Sequence, residues 1–189
     1  IIYFQEFSMQ PSYKHYLKII RNTCTGHKRP VTIPSEELAD LARLAEEHCT
    51  VPFVLSSFRG TPFYSSMLQR TRSMMLNYYQ IDQFTRHTVS LLEDNGIDCI
   101  LLKGISLASC YPVPEYRKLG DLDLYISRKS DISKAQKLLE SHGYIAENEL
   151  SDHHLTYHYT FPKTGRRFLL ELHYRVVGMY QYERANQIV

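Results

Sequence analysis

Leu119-Gly120-Asp121-Leu122-Asp123-Leu124-Tyr125-Ile126 sets two carboxylates at i and i+2 inside an apolar, strand-like run, directly after a glycine. Residues i and i+2 of a β-strand project from the same face. Asp121 and Asp123 are therefore expected to point together, with Leu122, Leu124 and Ile126 turned into the protein. Two like charges on a half-buried strand repel each other and are costly to desolvate, and a bound cation relieves both costs. Without that cation, neutralising one of the two acids is expected to be neutral or stabilising. Carboxylate oxygens are hard ligands, which selects Mg²⁺ or Mn²⁺ over zinc. A solvent-exposed acidic edge is the other reading of the same window.

Upstream, Asp98-Cys99-Ile100-Leu101-Leu102-Lys103-Gly104 reads as a short buried strand that ends at a glycine. Ile105 to Tyr111 then reads as one or two helical turns, stopped before Pro112 and Pro114. A strand, a glycine turn and a helix start together offer a phosphate seat, because free backbone N–H groups point outward and no side chain blocks the approach. Lys103 sits just before that turn and Ser106 within its first helical residues. A plain turn is the alternative. Farther along, Arg167 to Val176 is another strand pattern, with Glu171 and His173 on one face and Leu170, Leu172 and Tyr174 on the other. An edge strand whose polar face meets water would account for Glu171 taken alone.

Taken in order, these pieces resemble the DNA polymerase β-like nucleotidyltransferase superfamily. Its pattern is a strand, a glycine turn, a helix, an acid-x-acid strand and a third acid on a later strand. The likeness is greatest to the bacterial family called uncharacterised nucleotidyltransferases, through Leu102-Lys103-Gly104, Arg117-Lys118-Leu119-Gly120-Asp121-Leu122-Asp123 and Glu171-Leu172-His173. It covers about residues 97–177. The resemblance implies an α+β nucleotidyltransferase fold, a mixed β-sheet flanked by helices with an N-terminal helical region. It implies a catalytic and metal-binding triad of Asp121, Asp123 and Glu171, holding two Mg²⁺ or Mn²⁺ ions. It also implies nucleotide contacts from Lys103, Gly104, Ser106, Arg117 and Gly120. Two departures bear on the phosphate contacts and leave the triad untouched. Ile105 follows Gly104 where the superfamily usually has a second small residue, and Tyr111 to Arg117 form an inserted, proline-bearing loop.

The chemistry so implied moves a nucleoside monophosphate from an NTP to a hydroxyl or phosphate acceptor that the sequence does not name: a small molecule, RNA or protein. Lys103 and Arg117 are candidate counter-charges for the triphosphate, with solvated surface charge as the alternative. His173 could orient Glu171 or the acceptor. Pairing of 154–161 with the Glu171 strand could bring His158 or Thr160 beside it. A non-catalytic NTP-binding or protein-interaction module of the same fold, and a metal-dependent phosphodiesterase, are the alternative functions.

The rest of the chain fits a compact enzyme. With 189 residues, 43% of them hydrophobic, one sizeable core is affordable, and a net charge of +2 gives no strong nucleic-acid signal. Four cysteines without C-x-x-C spacing read as free thiols in a reducing cytoplasm, with Cys99 packed in a core strand. No run is long enough for a membrane span and no signal peptide is evident. Tyr3-Phe4-Gln5 and Glu6-Phe7 match a protease-site and cloning remnant, so 1–8 are read as a tag, 9–95 as a helical region and 96–189 as the catalytic core, continued in relatives beyond this C-terminus.

Helices are expected from Ser35 as N-cap, with Leu38, Leu41, Ala42, Leu44 and Ala45 inward, from about Tyr64 to Glu93, and from Ser130 to Ser141. Asn95-Gly96 is expected to close the long helix. His154 to Phe161 alternates as a strand, and Lys163-Thr164-Gly165 turns it into the Glu171 strand. His153, His154 and His158 suggest zinc, yet on a strand His153 points away from the other two and no cysteine stands at ligand spacing. Substrate contact or surface exposure is expected for these rings.

Overall fold

The computed structural model describes residues 10–26, 31–147, 151–178 and 183–187. The tag-like segment 1–8 lies outside them. Two compact units divide the chain: Ile1–Asn77 with Cys110–Lys118, and Tyr78–Ser109 with Leu119–Val189.

The first unit is helical. Helix α1 (Pro11–Cys24) opens on a proline, whose fixed φ suits a first helical position, and buries Tyr16 and Ile19 three residues apart. Helix α2 spans Leu38–Glu47. The N-cap expected at Ser35 is instead the start of a 3₁₀ turn, Ser35–Glu37, and no side chain caps α2. Its stripe is as the spacing requires, with Leu41, Leu44 and Ala45 buried. Helix α3 (Val51–Val54) is one turn of wholly buried residues. Tyr16, Ile19, Leu41, Leu44, Ala45, Val51, Val54, Phe58 and Met67 form the core. The Tyr16 hydroxyl within it stays paired, 2.7 Å from Thr50 Oγ1. The proline-bearing segment also belongs to this unit, where the rings of Tyr116 and Tyr111 pack 5.4 and 6.0 Å from Phe53.

Helix α4 (Tyr64–Glu93) matches the expected span, and its residues up to Asn77 group with the first unit and the rest with the second. Gly96, at φ +68°, lets the chain reverse: Ile97 N–H donates to Leu92 O at 3.0 Å, and Ile97 itself is fully buried.

In the second unit, strand β1 (Ile100–Leu101) is followed by helix α5 (Lys103–Ala108), strand β2 (Leu122–Tyr125), helix α6 (Lys129–Ser141) and strands β3 (Ile145–Ala146), β4 (His154–Thr160) and β5 (Arg167–His173). The sheet is mixed, in the order β1-β2-β5-β4-β3, with only β2 and β5 parallel. β1 departs from the expected buried strand: it has two residues, and Ile100 and Leu101 are 47% and 37% exposed. It is an edge strand with a single neighbour, and Ile97 takes the core position before it. Cys99 is half-buried against the core instead of lying within a strand.

β5 is not an edge strand either, since it runs between β2 and β4. Leu122, Leu124 and Ile126 are buried as expected, and Leu170 and Leu172 join them from β5. Phe84 of α4 stacks on Phe168 of β5 at 4.9 Å between ring centres, while Ala135 and Leu139 of α6 complete the same core. That packing holds β2 and β5 rigidly side by side, and the candidate site rests on those two strands.

Candidate active site

Asp123 and Glu171 are register partners on parallel β2 and β5. Partners in a ladder share a face, so the two carboxylates stand side by side on the sheet. His173, two residues after Glu171, shares that face. Its Nε2 lies 3.1 Å from Asp123 Oδ1 and 3.2 Å from Glu171 Oε2. Lys103 closes the group from the β1–α5 junction, with Nζ 2.9 Å from Asp123 Oδ1 and 3.7 Å from Glu171 Oε2.

The electrostatics follow from that crowd. Burial would push the Asp123 carboxyl up, since its side chain is 1% exposed, but hydrogen bonds from His173 and Lys103 outweigh it and hold the pKa below the usual value. Partial burial likewise works against the Lys103 charge, and Asp123 chiefly, then Glu171 and Asp121, restores and raises its pKa. Asp123 is thus an ionised, nearly buried carboxylate with two donors on it. An ionised carboxylate only accepts, so the His173 nitrogen that faces both acids presents Nε2–H to them.

Gly104 supplies the floor. Its backbone, at φ 38° and ψ −114°, lies where L side chains are strained. A Cβ there would meet Asp121 O and Asp123 Oδ2, each at 3.7 Å. The glycine turn therefore stands directly against the Asp123 carboxylate, as the order of motifs requires. Leu102 N–H also donates to Asp123 O at 3.0 Å, fixing the turn to β2.

The other anticipated residues lie as follows. Asp121 precedes β2 and is half-buried. Among the described residues, acids and histidines bring donor atoms within 4.8 Å of one another in two groups, Asp123 with Glu171 and His173, and His153 with His154 and His173. Asp121 is in neither. The Ser106 hydroxyl donates to Lys103 O at 2.6 Å. Gly120 is exposed, with open space where a Cβ would stand. Arg117 belongs to the helical unit, where its Nη1 donates to the Tyr111 hydroxyl at 3.2 Å.

The β4–β5 register corrects the expectation for His158 and Thr160. They face Leu169 and Arg167, and His158 pairs with Glu147; Thr156 faces Glu171 and His154 faces His173. Two further contacts were not anticipated. The Lys103–Asp123 pair needs a fold to bring a turn residue onto a strand twenty positions later, although a lysine beside a glycine turn was a signal of sorts. The approach of His153 and His154 to His173 left no trace in local spacing.

These carboxylates can hold a hard cation. Two donor oxygens, from Asp123 and Glu171, converge, and the Lys103 ammonium stands 2.9 Å from Asp123 Oδ1, where a cation is favoured. Among the described residues no helix is long and apolar enough to cross a membrane. No curated protein and no solved structure matches the chain significantly. A family profile described as uncharacterised nucleotidyltransferase matches residues 34–187, most of the chain, so this chain belongs to the uncharacterised nucleotidyltransferase family.

Proposed function

We propose that the protein is a divalent-metal-dependent nucleotidyltransferase of polymerase β-like fold that transfers a nucleoside monophosphate from an NTP to a hydroxyl or phosphate acceptor. The observation that carries this reading is the register pair Asp123 and Glu171 on parallel strands, with Gly104 against Asp123. Asp121, Asp123 and Glu171 would hold Mg²⁺ or Mn²⁺, which when bound supplies positive charge beside the triphosphate and acidifies the acceptor hydroxyl.

The chain's own groups do the rest. Gly104 leaves room for phosphate oxygens close to the backbone. The Lys103 ammonium, on a side chain 55% exposed beside the glycine turn, would be a counter-charge for the triphosphate. Glu171, the more exposed acid at 20%, accepts the proton of the acceptor hydroxyl. His173 holds Asp123 and Glu171 in place through Nε2–H.

A screen of labelled NTPs with Mg²⁺ or Mn²⁺ against metabolites, RNA and protein tests this, with pyrophosphate release as readout. Loss of transfer in Asp123→Asn, with the fold intact by circular dichroism, is the expected result. One observation favours a non-catalytic NTP-binding module: Lys103 already pairs with the Asp123 carboxylate and His173 hydrogen-bonds it, and the Ser106 hydroxyl is spent on Lys103 O. Tight NTP binding with no pyrophosphate from any acceptor would select that module.

A further inference from the structure

The second group of convergent donors lies just beyond the carboxylates. His153 and His154 bring their rings to 4.3 Å between centres, nearly perpendicular. His173 stands 5.6 Å from the first and 5.2 Å from the second. The local reading of a strand sends His153 away from His154, but His153 precedes β4 and escapes its alternation. His154, the first strand residue, is the register partner of His173. Backbone hydrogen bonds from Tyr174 and Arg175 to His153 O, at 3.0 and 3.2 Å, pin this end of the hairpin.

Hydrogen bonding decides which ring nitrogens remain. His153 Nδ1–H donates to Asp152 Oδ1 at 2.7 Å, leaving the Nε2 lone pair. His154 Nδ1 lies 3.2 Å from Ser151 Oγ, and the tautomer that donates Nδ1–H to that oxygen leaves the Nε2 lone pair. His173 gives Nε2–H to Asp123 and Glu171, so its Nδ1 carries the lone pair. That ring is 2% exposed, and Nδ1 has no hydrogen-bond partner among the described residues. A buried nitrogen with a lone pair and no donor on it is costly, and a metal ion is a natural partner for it.

From these observations we infer that His153, His154 and His173 form a transition-metal site, of the Zn²⁺ class, distinct from the hard-cation site on the carboxylates. Three neutral imidazoles select zinc-like ions over Mg²⁺ and leave the fourth tetrahedral position open to water or a substrate atom. One nitrogen of each ring lies within 4.8 Å of one nitrogen of the other two. Zn–N bonds of about 2.0–2.1 Å ask for nitrogens about 3.4 Å apart, so metal binding would draw the rings together. Asp152 on His153 is the carboxylate–histidine–metal arrangement that orients such ligands.

The site would join the hairpin end to the reaction centre through one imidazole. Metal on His173 Nδ1 locks Nε2–H toward Asp123 and Glu171, the tautomer that holds both acids. None of this depends on nucleotidyl transfer, and a failed NTP screen leaves it standing.

The test is titration of the protein with Co²⁺ in excess Mg²⁺, read by visible absorption, with Zn²⁺ calorimetry alongside. One equivalent is expected, with the intense bands of nitrogen-ligated tetrahedral Co²⁺. His154→Ala and His153→Ala should each abolish those bands, and Asp152→Asn should weaken affinity by about 10–100-fold. Asp121→Asn, which touches none of the three rings, should leave the bands unchanged. His153 lies outside the β-ladder, so His153→Ala serves as the deciding variant if His154→Ala does not fold. Bands that persist in His153→Ala, bands lost in Asp121→Asn, or wild-type protein showing only hydrated Co²⁺ would each overturn the site.

Discussion

Asp123→Asn in metal-free buffer is where the tertiary structure reverses an expectation from sequence. Two neighbouring carboxylates by themselves repel, so neutralising one should leave the fold unharmed or firmer. The folded protein surrounds Asp123 differently: His173 Nε2 stands 3.1 Å and Lys103 Nζ 2.9 Å from the same oxygen. Asparagine keeps the shape but downgrades both hydrogen bonds. Charge-assisted bonds contribute about 1.5–3 kcal/mol and neutral ones about 0.5–1.5, a difference near 1 kcal/mol each.

Relief of carboxylate burial offsets part of that, and Lys103, being exposed, is not stranded by the change. A net loss of about 1–2 kcal/mol is expected, or a fall in Tm of about 2–8 °C for a chain of this size. Thermal melts with EDTA, for wild type, Asp123→Asn, Lys103→Met and the double variant, measure it. The Asp123→Asn penalty should shrink when Lys103 is already methionine, by about 1 kcal/mol of coupling. A Tm that rises in Asp123→Asn, or a penalty unaltered by Lys103→Met, would refute the ion-pair account.

Acid should close the same gap. The Asp123 pKa is depressed in the folded state, so its contribution is complete above the ordinary value of 3.8 and is lost as pH falls through the lower folded value. Wild-type and Asp123→Asn melting curves should therefore converge below pH 3.8 and stay apart above it. Gly104→Ala should cost about 1–3 kcal/mol from backbone strain alone, since contacts at 3.7 Å leave room for the methyl group. The bulkier Gly104→Val should also abolish NTP binding by calorimetry while Mg²⁺ binding survives. Burial pushes the Cys99 thiol up to about 11, so thiol reagents at pH 8, mapped by mass spectrometry, should label exposed Cys24 and Cys110 first and Cys99 last.

Local sequence by itself determined the elements and their faces. Period-two alternation put Leu122, Leu124 and Ile126 inside, and helical spacing placed Leu41, Leu44 and Ala45 inward and ran α4 from Tyr64 to Glu93. These rest on one residue's relation to its near neighbours, which the backbone period dictates. The order of glycine turn, acid pair and later acid was equally legible, because motifs are written in chain order.

What only the tertiary structure decided is which strand meets which, and in what register. Alternation says that Glu171 and His173 share a face but not that parallel pairing sets Glu171 beside Asp123. It left His158 a candidate neighbour of the site, whereas the β4–β5 ladder gives that place to His154 and Thr156. β1 reads as a buried strand because its residues are apolar, yet its place at the sheet edge leaves it exposed. Lys103 and Asp123 are twenty residues apart and His153 and His173 the same, and such contacts form only when packing closes the loops between them. Register and edge position are properties of the assembled sheet, set by the summed burial of both partners, and a single strand's residues carry no record of them.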